Sequence, residues 1–161
     1  MIKVIGIDPG LSGTGIGVIK GDKNNITGYS FGSISTNSKD SIACRLHTIY
    51  SKTLAFLKEQ KPDFLVVEDI YSLEKYPNSG IILGKVAGVL LVAAYEVNLC
   101  VKEISVKQAK KIISGSGNAD KFQIEKTVRN LLNHDSPIRP FHASDALALA
   151  LTGYYREKDH I

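Results

Sequence analysis

Ile2-Lys3-Val4-Ile5-Gly6-Ile7-Asp8-Pro9-Gly10 is a β-branched, apolar run that stops abruptly at a turn. Asp-Pro-Gly cannot continue a strand, so the chain reverses there. Gly13-Thr14-Gly15-Ile16-Gly17-Val18-Ile19-Lys20 reads as a second strand. Gly21-Asp22-Lys23-Asn24-Asn25 reads as a further turn, and Ile26 to Ser35 as a third strand. Together they make an antiparallel three-strand meander.

The pattern changes after residue 38. Over 39–60, Ile42, Leu46, Ile49, Phe56 and Leu57 recur at helical spacing, and Pro62 marks the stop. Phe64-Leu65-Val66-Val67 is short and wholly apolar, as in a strand buried on both faces, and ends in Glu68-Asp69. Residues 71–78 read as a loop. Residues 79–97 read as a helix that is apolar nearly all round, with small residues Gly84, Ala87, Gly88, Ala93 and Ala94, and so buried on more than one side. Cys100 to Ile104 reads as a fifth strand. Helices follow over about 105–113, 121–133 and from Phe141 onward. The order β-β-β-α-β-α-β-α-α-α specifies an α/β fold with a central mixed five-stranded sheet flanked by helices. No repeat or linker divides it, so residues 1–161 read as a single domain.

Composition narrows the function classes. With 43% hydrophobic and 22% charged residues, the chain matches ordinary soluble proteins. Its apolar runs read as shorter than the ~20 residues a membrane helix needs. The first eight residues read as a strand, not a signal peptide. A cytoplasmic location with no membrane association is the expectation. Cys44 and Cys100 lie far apart without metal-ligand spacing and read as free buried thiols. The formal charge is +4, a mild basic bias. Gathering several carboxylates into one site leaves a still more basic body around an acidic hole, which suits a polyanion that is gripped and cut.

The acidic hole is predicted from Asp8, Glu68 and Asp145. Each stands at or beside a change of secondary structure, among apolar residues. A desolvated carboxylate without a partner costs several kcal/mol. No Lys or Arg lies within two positions of any of the three, so a divalent cation is the natural compensation. An all-oxygen set suits Mg²⁺, with Mn²⁺ as the alternative. His142 precedes Asp145 by three residues and shares its helix face, as a further ligand or acid/base group. Two ions held by such a cluster hydrolyse phosphodiesters, one orienting the water and the other stabilising the leaving 3′ oxygen. No Ser/His or Cys/His arrangement offers a protein nucleophile. Lys107, Lys110 and Lys111 share a helix face, and Lys121 follows a Gly-rich break; these are candidate phosphate contacts.

These residues resemble the RuvC-type Holliday-junction resolvases of the RNase H-like superfamily. Gly6-Ile7-Asp8-Pro9-Gly10 with the glycines after it resembles the family's first motif. Val67-Glu68 with Tyr71 resembles the second, Asn78-Ser79 with Gly84 and Gly88 the following helix, and His142-Ala143-Ser144-Asp145-Ala146-Leu147-Ala148 the last. The resemblance implies the RNase H-like fold and a homodimer that nicks four-way DNA junctions symmetrically, leaving 5′-phosphate and 3′-hydroxyl ends. It places Asp8, Glu68, His142 and Asp145 at the catalytic and metal positions. It implies base stacking by Tyr71, and phosphate contacts by Lys110 and Lys121. A branch-migration motor complex is a further partner it allows. Two equivalent strands to cut also suit a twofold dimer. The chain departs from the family pattern at Lys85-Val86-Ala87-Gly88, where Gln-Ala-Arg-Gly is usual, and at Tyr71, where Phe is usual. Those positions bear on junction selectivity and cleavage-sequence preference.

Three other readings compete. A broader branched-DNA nuclease of phage type would use the same site. A branched-DNA-binding protein that does not cut would have little use for an acidic cluster, because carboxylates repel phosphate. A sugar-kinase-like ATPase shares the strand-Asp-x-Gly opening but needs two such domains, for which 161 residues leave no room.

Overall fold

A computed structural model describes residues 1–23, 25–70 and 77–157. Tyr71, the expected stacking residue, lies outside them. The elements run β1 (Ile2–Asp8), β2 (Gly13–Gly21), β3 (Ile26–Ser35), α1 (Ile42–Gln60), β4 (Phe64–Glu68), α2 (Pro77–Glu96), β5 (Cys100–Ile104), α3 (Val106–Ser114), α4 (Lys121–Leu131) and α5 (Phe141–Glu157). The strands form one sheet in the order β3-β2-β1-β4-β5. β1, β2 and β3 pair antiparallel, while β4 and β5 run parallel to β1. This is the mixed sheet expected of the RNase H-like arrangement.

Two apolar layers cover the sheet. Ile5, Ile7, Val18, Leu65 and Val67 face α1 and α2. Val4, Ile19, Phe64 and Val66 face α5, with α3 and α4 beyond it. α5 is the central helix: Ala143 through Tyr154 is buried apart from half-buried Asp145. Its backbone lies directly on the sheet, which glycine makes possible. A Cβ on Gly15 would stand 2.0 Å from the His142 carbonyl oxygen, and one on Gly17 would stand 2.5 Å from the Leu147 nitrogen. Both obstacles are main chain, so neither can swing aside. Gly15→Ala is expected to cost about 3 kcal/mol and to push α5 off the sheet. Chemical denaturation of the variant against wild type checks this; an unchanged midpoint would refute the close approach.

Three expectations need correction. Residues 77 and 78 begin α2 instead of closing a loop. α2 is buried on one side only: Val86, Ala87, Leu90, Ala93 and Ala94 are covered, while Ile81, Val92 and Tyr95 are 59%, 52% and 81% exposed. The stretch Asn78–Glu96 is also long and apolar enough, by length and composition alone, to cross a membrane. Its small residues and few charges, Lys85 and the terminal Glu96, raise its hydropathy without filling the core. Finally, Cys44 and Cys100 are exposed thiols, because both lie on the outer surface, on α1 and at the start of edge strand β5.

Candidate active site

Strand alternation puts Asp8 and Glu68 on the same side. Val4, Gly6 and Asp8 share the α5 face of β1, while Ile5 and Ile7 point the other way. Phe64, Val66 and Glu68 do the same in β4. Ile7 pairs with Val67, so the two carboxylates end neighbouring parallel strands at the same level. α5 delivers Asp145 to that point. Asp8, Glu68 and Asp145 then line one cleft of about 250 Å³. The lone acidic groups of three separate segments meet there, as their apolar settings required.

The turn after Asp8 is tied down. Thr14 Oγ1 donates to the Gly10 carbonyl at 2.8 Å, and Thr36 Oγ1 to the Leu11 carbonyl at 2.6 Å. Buried Arg45 donates to Thr36 Oγ1 at 2.8 Å and to Ser12 Oγ at 2.9 Å. Neutral acceptors on the turn leave the Asp8 carboxylate free of a local cation. Its partner is His142 instead, with Nδ1 3.4 Å from Asp8 Oδ2. The imidazole leans over Gly13, where a Cβ would come within 3.2 Å of the ring.

Burial, reinforced by crowding of like charge, sets the electrostatics. Burial, then hydrogen bonding to Asp8 and repulsion from Asp8 and Asp145, push the Glu68 carboxyl up to about 9, despite the opposing pull of Lys110. Burial and the Asp8 charge push Asp145 up to about 6, with Lys110 and His142 opposing. The hydrogen bond to Asp8 holds the His142 imidazolium above its ordinary range, against the effect of burial. Lys110 and His142 offset only part of the crowded negative charge.

The lysines divide. Lys110 and Lys121 line the cleft itself. Lys107 lines the adjoining hollow with Glu68, Asp69 and Ser105. Lys111 is exposed on α3 and lines neither. Lys110 is the positive neighbour that a search of flanking sequence could not find, because α3 brings it to the cleft from beyond β5. Sequence reasoning passed over Phe122 and Phe141, whose rings sit against Lys121, and Arg139, which covers Phe141. The signal available was position: Phe122 follows a candidate site residue, and Phe141 precedes one.

Among the described residues, no group of three or more His, Cys, Asp or Glu side chains is gathered closely enough to hold a metal ion as placed. The chemistry of the set still fits a hard divalent ion that retains several waters. Glu68 and Asp8 lie in hydrogen-bond contact, a pairing of carboxyls that a cation would favour over a proton. Asp145 completes an oxygen set on the same cleft, with His142 at its edge.

Comparison with known proteins agrees with this geometry. Residues 4–153 match the family described as Crossover junction endodeoxyribonuclease RuvC. The family member of Thermosipho melanesiensis is 39% identical over 149 residues, covering 92% of this chain and 94% of that protein. The member from a Wolbachia of Drosophila simulans is 37% identical, covering 96% and 95%. Among solved structures, Thermus thermophilus RuvC in complex with Holliday junction substrate superposes with a TM-score of 0.88 at 27% identity, covering 99% of this chain and 97% of that one. The yeast mitochondrial Holliday junction resolvase Ydc2 shares the fold, with a TM-score of 0.64 at 10% identity, covering 98% and 83%. With its motifs in order, its acidic cleft assembled and its sequence matched nearly end to end, the chain belongs to the crossover junction endodeoxyribonuclease RuvC family.

Proposed function

We propose that this chain, acting as one RNase H-like domain over residues 1–161, is a cytoplasmic resolvase that nicks four-way DNA junctions in pairs. The observation that carries the reading is the cleft: Asp8, Glu68 and Asp145 converge from β1, β4 and α5, with Lys110 and Lys121 on its rim. Membership of a nuclease family supports the same chemistry. Asp8, Glu68, Asp145 and His142 would hold Mg²⁺ or Mn²⁺, two ions per site. When bound, these ions supply the Lewis acidity that activates water and stabilises the departing 3′ oxygen. The protein orients Asp8 through the Thr14–Arg45 network. It holds His142 beside Asp8, which favours the charged imidazolium, and its lysines draw the phosphate backbone over the acidic hole.

A twofold partner fits the uncovered face of α2. Ile81, Val92 and Tyr95 recur on one side of the helix, with Gly84 and Gly88 between them to permit close approach. Val92→Glu is expected to give monomers by sedimentation velocity and to lose paired nicking. A variant that stays dimeric would move the interface elsewhere. A branch-migration motor would act on the same junction.

The deciding experiment is an immobile four-way junction and a matched linear duplex, incubated with Mg²⁺, Mn²⁺ or EDTA. Paired symmetric nicks on the junction alone, absent with EDTA, are expected. Equal cutting of flaps and three-way forks would indicate the broader phage-type nuclease, and binding without cutting the architectural protein. Lys110→Ala and Lys121→Ala are each expected to lower the salt slope of junction binding by about one; an unchanged slope would take that lysine off the DNA path. Tyr71→Ala is expected to slow cutting more than it weakens binding.

A further inference from the structure

Two aromatic rings sit against Lys121, which lines the cleft, and the cleavage chemistry above uses neither. Phe122, at the start of α4, directly follows Lys121. Phe141, at the start of α5, directly precedes His142. The rings meet edge to face, with centroids 5.1 Å apart and planes at 84°. Lys121 Nζ lies 4.9 Å from the Phe141 centroid and 5.4 Å from that of Phe122. The Arg139 guanidinium covers Phe141 at 4.1 Å. Phe122 is 58% exposed.

That exposure asks for a reason. α4 does not need the ring, because Asp120 and Gln123 already close a full capping box at its start. The ring buries too little surface to contribute much to the core. Its setting is an exposed ring beside Lys121, which lines the phosphate-cleaving cleft, with Arg139 one ring further on over Phe141. A nucleobase fits that setting: the base covers the ring, and the phosphates on either side of it meet Lys121 and Arg139.

We propose that Phe122, backed by Phe141, is a stacking station for an unpaired base of the cleaved strand, adjoining the scissile phosphate and separate from Tyr71. The proposal rests on the nuclease reading and adds a substrate subsite to it. Loss of the ring slows cutting because the strand is held less firmly across the cleft.

The chain contains no tryptophan, so Phe122→Trp introduces a single indole reporter. In an Asp8→Asn background with Mg²⁺, titration with a four-way junction is expected to quench that indole in step with binding, which is followed separately by anisotropy of a labelled junction. Phe122→Ala in the otherwise native chain is expected to slow junction cutting roughly tenfold. Single abasic sites are then walked along the cleaved strand. At one position beside the scissile phosphate, wild type and Phe122→Ala should cut within about twofold of each other, since the stacked base is already gone. An unquenched indole on bound junction, with additive effects at every abasic position, overturns the station and leaves the nuclease reading intact. A wild-type chain that neither binds nor cuts the junction removes both.

Discussion

Asp8→Asn is expected to abolish metal-dependent nicking, by at least ~10³-fold, while junction binding persists. Asp8 is the group to which the others answer. It pairs with His142 at 3.4 Å, hydrogen-bonds Glu68, and raises both Glu68 and Asp145 by its charge. Asn keeps the shape of the turn that Thr14 and Arg45 secure, so the fold should survive. What disappears is the charge that attracts a cation. Losing several kcal/mol of metal-centred stabilisation corresponds to a rate loss of about that size. Binding should hold or tighten, because one source of repulsion toward phosphate is gone. Nicking and anisotropy assays on one preparation, with circular dichroism as a check on folding, test this. Mg²⁺-dependent nicking within roughly tenfold of wild type would sink the assignment.

Glu68→Gln should be inactive yet more stable than wild type without metal. In the metal-free fold the Glu68 carboxyl is pushed up to about 9, against an ordinary value of 4.5. Between those values the folded chain holds a proton that the unfolded chain has released. Metal-free stability therefore falls as pH rises through that window. Gln carries no charge to crowd, so it removes Glu68's share of that slope and leaves the shallower one from Asp145 and His142. At pH 8 in EDTA the variant is expected to gain about 1–2 kcal/mol, or roughly 2–8 °C in Tm for a chain of this size. Wild type should recover the difference on adding Mg²⁺, and its metal affinity should rise with pH as protons are displaced. Thermal melts of both proteins at pH 6 and pH 8, with and without metal, provide the test. A variant no more stable than wild type at pH 8 would show that the carboxylates are not in conflict.

The meander was readable because its turns carry their own chemistry: Asp8-Pro9-Gly10 and Gly21 to Asn25 stop strands wherever they occur. β4 was readable because only a doubly covered strand tolerates Phe64 to Val67. The cleft was readable through its anomaly, three carboxylates in apolar company. Lys110 was legible as a phosphate contact, but its closeness to Glu68 was not, since that depends on how α3 leaves β5, which no local pattern encodes. The exposed face of α2 was misread because an all-round apolar helix looks the same whether its own core or a second molecule covers it. The glycines of β2 were read as strand residues, although their consequence, a helix backbone resting on the sheet, is a property of two segments more than a hundred residues apart.

That seating of α5 divides the cleft into a stiff half and a soft half. Amides of a helix clamped main chain to main chain should exchange with solvent only when the whole molecule opens. Asp145 thus inherits the constancy of the core. α3 is nine residues long, with Ala109 and Ile113 as its buried contacts, and can open at far smaller cost. Lys107 and Lys110 ride on it. Hydrogen exchange should therefore find slow amides beneath the carboxylates and fast ones beneath the lysines. Such a division lets the backbone of an irregular junction be accommodated on one side while the reacting phosphate is held to a fixed frame on the other.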